Sequence, residues 1–175
     1  MKAKKIDKEE EMDMISEENE VIGTMTRFEA LKSNLLHRCV IVMVFNEGGE
    51  IFLQKRAKSK QLFPGKYDFS CSGGVMKGET YEDAAERELK EELGIDAPLN
   101  FVESVRYKDS KTNYIGHIYA LSYDGKIKID KKEIESGKFV SEMELKTMVA
   151  NGLLSPDAKE ILITYLDDIK EAIKC

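Results

Sequence analysis

The chain has 175 residues, 42% of them hydrophobic and 34% charged, which fits one folded domain with a core and excludes a disordered chain. Acidic residues (33) outnumber basic ones (27), for a formal net charge of -6. That balance argues against a general nucleic-acid binder but permits a local basic cluster for a small phosphorylated ligand.

Residues 1–11 read as a mixed-charge, flexible leader with no apolar signal segment. A single domain is expected over 12–175. It opens with "DMISEENEVIGTMTR", two short strands around Glu17-Glu18-Asn19, hence an N-terminal β-hairpin. Next comes "HRCVIVMVFNEGGEIFLQKR", two β-rich runs flanking Asn46-Glu47-Gly48-Gly49. Cys39 to Phe45 is the longest apolar run. It suits a central strand and is far short of the roughly 20 residues that span a bilayer. "QLFPGKYDFSCSGG" is a loop followed by a short strand, with the turn at Pro64-Gly65. A helix should start at Thr80, which has capping-box spacing to Asp83, and stop at Gly94. "FVESVRYKD" and "TNYIGHIYALSYDG" are strands, and "SEMELKTMVANG" is a short helix. A longer helix follows Ser155 as cap and Pro156, with Ile161, Leu162, Tyr165, Leu166 and Ile169 on one stripe. Strands in the middle and helices around them predict an α/β (α+β) mixed sheet packed between helices. Three cysteines, Cys39, Cys71 and Cys175, give no paired framework, so a reducing, cytoplasmic setting and no membrane partner are expected.

The helix after Thr80 carries Glu88, Glu91 and Glu92. Residues three and four apart share a helix face, so these carboxylates repel one another. The helix dipole offers no relief, because its C-terminal end favours cations. A divalent cation would offset the repulsion, and oxygen ligands favour Mg²⁺ or Mn²⁺ over zinc. A solvated acidic face is the plain alternative. More positions fall into the pattern: Gly73, Glu79, Arg87-Glu88-Leu89, Glu91-Glu92 and Gly94-Ile95.

The whole stretch "GGVMKGETYEDAAERELKEELGI" resembles the Nudix box at every fixed position. The resemblance implies a Nudix fold, a mixed β-sheet sandwiched between helices, and Mg²⁺-dependent hydrolysis of a diphosphate joined to another group. It implies that Glu88, Glu91 and Glu92 hold the metal, with Gly73 contributing backbone nearby. Arg87 would orient a glutamate through a salt bridge, and Glu79 would support the site from the loop. The chemistry is consistent: a dication neutralises and orients diphosphate oxygens that would otherwise repel an attacking water.

The region from about Leu35 to the box is similar to isopentenyl diphosphate isomerases, which are Nudix relatives. By that similarity Arg56 and Lys60 bind the substrate diphosphate. They belong to Lys55-Arg56-Ala57-Lys58-Ser59-Lys60, a compact cationic loop in an acidic chain. The isomerase chemistry carries over less well. Its cysteine position holds Ser72, and Cys71 lies one residue earlier, which in a strand points to the opposite face. Of the isomerase histidine positions only His37 is matched, and a hydrogen-bonded structural role suits it. A hydrolase with an isomerase-like substrate loop is therefore expected, acting on a nucleoside diphosphate or related linked diphosphate. An isomerase and a non-catalytic nucleotide sensor are the alternatives. The general base is open among Glu88 and two residues expected in a loop, Glu133 and Glu135. Tyr67, Phe69, Tyr107 and Tyr114 are expected in the core. The hairpin edge offers a surface for a homodimer.

Overall fold

The apolar run after His37 forms β3 (His37–Phe45), buried on both faces from Val40 onward. Double burial explains why its sequence is continuously apolar rather than alternating. The computed structural model describes residues 10–174. Most of the expected leader lies outside the described residues, and the first strand, β1, begins at Glu11.

β1 (Glu11–Ile15) and β2 (Val21–Thr26) form the antiparallel hairpin, with Asn19 at φ 64° in its turn. A six-residue helix, α1 (Arg27–Lys32), follows at once. Thr26 and Glu29 close a reciprocal capping box at its start. Beyond β3 the chain runs through β4 (Ile51–Arg56), β5 (Tyr67–Asp68), β6 (Cys71–Gly74) and α2 (Tyr81–Leu93). Then come β7 (Asn100–Lys108), β8 (Asn113–Ser122), β9 (Ile134–Val140), α3 (Glu142–Ala150) and α4 (Pro156–Ala172).

The main sheet has the order β5-β4-β3-β8-β7, with β6 also pairing β3 and β9 pairing β4. β3 and β8 run parallel from His37↔Tyr114 to Phe45↔Ser122. β3 and β4 pair only at Phe45↔Ile51, beside the hairpin turn, and then part. β6 enters the opening against Cys39 to Val42. Ser70 ties the parting strands: its hydroxyl accepts from Val44 N (2.8 Å) and donates to Phe52 O (2.5 Å). It is fully buried. Ser70→Ala leaves both backbone groups without that partner, so unfolding in urea should show a loss of about 1–3 kcal/mol.

One face of the sheet packs α2 through Ala84, Ala85, Leu89 and Leu93 against Val40, Val42 and Val44. The other packs α3 and α4, through Leu145, Met148, Ile161, Leu162 and Ile169, against Ile41, Met43 and Phe45. The expected mixed sheet between helices and the N-terminal hairpin are thus present. Tyr165 and Leu166 are only partly buried at the rim of the stripe.

Three features differ from the sequence expectation. α1 is too short to show a helical period. β9 reads as a polar loop because as an edge strand it carries Glu135, Ser136 and Lys138. Its Gly137 lies against Phe52, where a Cβ would overlap the ring. Finally, Ser155 stands at the N-cap of α4, but its hydroxyl donates to Asp68 Oδ1 (3.1 Å) instead of capping the helix.

Candidate active site

Thr80 caps α2, its side chain accepting from Asp83 N at 3.1 Å. Gly94 ends it at φ 67°, the left-handed conformation a glycine adopts without cost. Within the helix, Glu88 and Glu92 share the inward side and are 7% and 6% exposed. The Glu91 side chain is 64% exposed. Among the described residues no three carboxylate, histidine or cysteine side chains already converge into a metal cage. Glu92 instead accepts from Gln54 Nε2 at 3.2 Å, and Glu88 is paired with Arg87.

Arg87 is the centre of the site's hydrogen bonding. Its Nε and NH2 donate to the two oxygens of Glu79 at 2.9 and 3.0 Å, a bidentate pair. NH2 also donates to Gly74 O at 3.0 Å, and NH1 to Glu88 Oε1 at 2.5 Å. Glu91 Oε2 lies 3.7 Å from NH1. Glu79 in turn accepts from Met76 N at 2.9 Å. One guanidinium therefore joins the loop, β6 and the helix.

Burial pushes Glu92 up to about 8, and the nearby charge of Glu88 adds to the rise. Lys60 and Arg56 act in the opposite sense, while Glu133 reinforces the rise. Glu88 is also raised by burial, with Arg87 opposing. Two carboxylates removed from water, each disfavouring the other's charge, form a hard-oxygen donor set suited to Mg²⁺ or Mn²⁺. Gly73 adds to the fit. A Cβ there would overlap the Glu88 carboxylate, so the glycine brings backbone directly against it. Gly73→Ala should displace that carboxylate and lower kcat about tenfold or more, with a weaker Mn²⁺ affinity measured on the same protein.

Gly73 also borders a cleft lined by Arg56, Lys60, Ser72 and Gly74, with His37, Cys39 and Asp157 deeper in the fold. Arg56 donates from Nε to Leu62 O at 2.8 Å and from NH1 to Asp68 Oδ2 at 2.7 Å. Lys60 Nζ is ion-paired with Glu133 Oε2. Lys55, in the same cationic run, pairs with Glu135 at 2.9 Å on β9. The structure thus brings Arg56 and Lys60 to one cleft and turns Lys55 to the neighbouring strand. Glu135 is a strand residue, and Glu133 lies immediately before that strand, in the turn leading to it.

Cys71 is fully buried in the core under α2, whereas its neighbour Ser72 lines the cleft. The one-residue offset does separate the two faces. His37 Nδ1 is 2.9 Å from Leu35 O, and burial holds its pKa down, as for a structural histidine. A cleft residue that the sequence did not single out is Asp157, at the start of α4. Burial, with the charge of Asp68, pushes it up to about 6. A carboxyl that holds its proton more tightly when folded stabilises the fold most below its ordinary value of 3.8, and that contribution is lost as pH rises through about 6. Urea unfolding across that window should show stability falling with pH, and Asp157→Asn should flatten the slope.

Comparison with known proteins points to one family. The NUDIX domain model matches residues 35–164. An uncharacterised Nudix hydrolase of Listeria monocytogenes is 34% identical over 154 residues, covering 84% of this chain and 89% of that protein. An isopentenyl-diphosphate Delta-isomerase of Serratia proteamaculans is 31% identical over 137 residues, covering 75% and 76%. The crystal structure of a Deinococcus radiodurans protein superposes with a TM-score of 0.80 at 28% identity, covering 89% of this chain and 98% of that one. The chain belongs to the NUDIX family, whose hydrolases act on diphosphate bonds. Relatives named as isomerases stand beside those named as hydrolases. Among the described residues no helix is long and apolar enough to cross a membrane.

Proposed function

We propose that this protein is a Mg²⁺- or Mn²⁺-dependent hydrolase that cleaves the diphosphate linkage of a nucleoside diphosphate or a related linked diphosphate. The observation that carries this reading is the Arg87 network, which fixes Glu79 and Glu88 against Gly73, at the edge of a cleft bearing Arg56 and Lys60. Glu88, Glu91 and Glu92, with the backbone at Gly73, would hold the cation. When bound, that cation would neutralise the diphosphate and make a water more acidic. Arg56 and Lys60 would bind the diphosphate oxygens, Arg56 with the NH2 edge that lies beyond its contacts to Leu62 and Asp68. Arg87 keeps Glu88 oriented by charge-assisted bonding. Glu88, Glu133 and Glu135 stay the candidates for general base; Glu133 lies in the turn tied to Glu92 O through Asp130 N.

The isomerase reading is weakened by Cys71, whose thiol is buried on the far face of β6 and held protonated there by desolvation. A panel of nucleoside diphosphates, nucleoside triphosphates, sugar-linked diphosphates and prenyl diphosphates, with Mg²⁺ or with EDTA, tests the proposal. Cation-dependent release of phosphate or a monophosphate supports it. Double-bond migration in isopentenyl diphosphate, or tight binding without turnover, would replace it with the isomerase or the sensor.

A further inference from the structure

Both cations at the mouth of the cleft carry an internal carboxylate. The two pairs differ in how firmly the acid is fixed. Asp68 is 3% exposed and is held by three groups: Arg56 NH1 at 2.7 Å, Phe69 N at 2.9 Å and Ser155 Oγ at 3.1 Å. It is part of the scaffold. Glu133 is partly exposed, with 24% of its side chain open to water, as is Lys60 with 19%. Its backbone, by contrast, is anchored. Ala57 N donates to Glu133 O at 3.0 Å, which ties it to the cationic loop. Asp130 N donates to Glu92 O at 2.9 Å, and Glu133 N to Asp130 O at 3.1 Å, which tie the same turn to the end of the box helix. The Glu133 carboxylate thus stands on an anchored backbone, paired with Lys60, in a turn tied to the end of the box helix.

We propose that Glu133 is a built-in stand-in for the substrate phosphate: it neutralises Lys60 in the free enzyme and is displaced when a diphosphate takes its place. The inference rests on the reading of Lys60 as a diphosphate-binding residue. The physical basis is competition for one ammonium group. A carboxylate brings a single negative charge and a diphosphate brings more, so the diphosphate wins once it is also held by Arg56. Until then the pair keeps a partly buried lysine from standing without a counter-ion beside a hydrophobic wall of Leu62 and Phe63. In this scheme Glu133 acts through Lys60. It lowers the affinity of the resting site for any anion that fails to engage Arg56 as well, and so acts as a filter against inorganic phosphate.

The test is a calorimetric titration of the full chain with inorganic pyrophosphate in EDTA, which needs no turnover. Glu133→Gln removes the competitor and should bind pyrophosphate about fivefold tighter than the parent, the scale of a partly exposed ion pair. Lys60→Met should bind more weakly, and the double variant should match Lys60→Met, because the competitor has no effect once the lysine is gone. Glu133→Asp, whose shorter side chain draws back from Lys60, should also bind tighter and serves if the glutamine variant folds poorly. A loss of structure lowers affinity, so a gain cannot come from misfolding. Unchanged or weaker binding in both Glu133 variants, with Lys60→Met weakened as expected, overturns this inference and leaves the hydrolase reading intact. Unchanged binding in Lys60→Met removes the diphosphate role of Lys60 and this inference with it.

Discussion

Replacing Glu92 by Gln should lower kcat/KM by a hundredfold or more, on the order of losing a metal ligand or its immediate support, while the folded state holds or gains stability. The two halves of this expectation have different causes. Activity falls because an amide oxygen is a poorer donor to a hard dication than a carboxylate. Stability does not fall because the environment of Glu92 already favours the neutral form: burial and Glu88 push its pKa up to about 8. The contact from Gln54 Nε2 to Glu92 Oε2 survives, since an amide oxygen accepts as well. Steady-state rates with Mg²⁺, alongside thermal melts in EDTA, read both quantities on one preparation. A rate equal to the parent's would remove the carboxylate assignment; a melting point several degrees lower would show that the charge of Glu92 holds the fold together.

Arg87→Met should act in the opposite way, through stability as well as activity. The substitution keeps the aliphatic bulk and removes the donors to Glu79, Glu88 and Gly74 O. Side-chain exposures of 23%, 16% and 9% for Arg87, Glu79 and Glu88 put the network well inside the surface. Breaking such a network from one side strands two carboxylates, at a cost of about 3–5 kcal/mol. Adding Glu79→Gln to Arg87→Met should recover part of that loss, because a neutral amide is cheaper to leave behind than a charge. A loss below about 1 kcal/mol in urea unfolding would mean that water already satisfies these groups.

The box helix was the most legible part of the chain. Thr80 and Gly94 mark its ends by side-chain chemistry and backbone freedom, and both stand where the sequence puts them. What the sequence could not rank was the depth of the three glutamates. Spacing puts Glu88, Glu91 and Glu92 on neighbouring faces, but only the packing of Ala84, Ala85 and Leu89 into the sheet turns Glu88 and Glu92 inward and leaves Glu91 in water. The cationic loop was legible as a cluster, while its partners were not. Lys60 meets Glu133 across 73 positions, a contact no local pattern encodes. β9 was hidden for a related reason: an edge strand needs no apolar alternation on its open side, so "IESGKFV" looks like loop. α1 had a signal in Thr26 and Glu29, but six residues are too few for a period to emerge.

The hairpin at the start of the chain has a role beyond covering the sheet. Glu11 O accepts from Lys77 N at 2.9 Å, Asp13 Oδ2 from Gly78 N at 3.2 Å, and Met12 lies against Gly74. This hairpin therefore clasps a turn some sixty positions further along the chain, just ahead of the box helix. The loop ahead of the box helix is thus held by a long-range closure and not by local propensity alone. Shortened versions starting at Arg27 would keep the sheet core yet lose this brace, and an enzyme that still folds but turns over sluggishly is the outcome to look for.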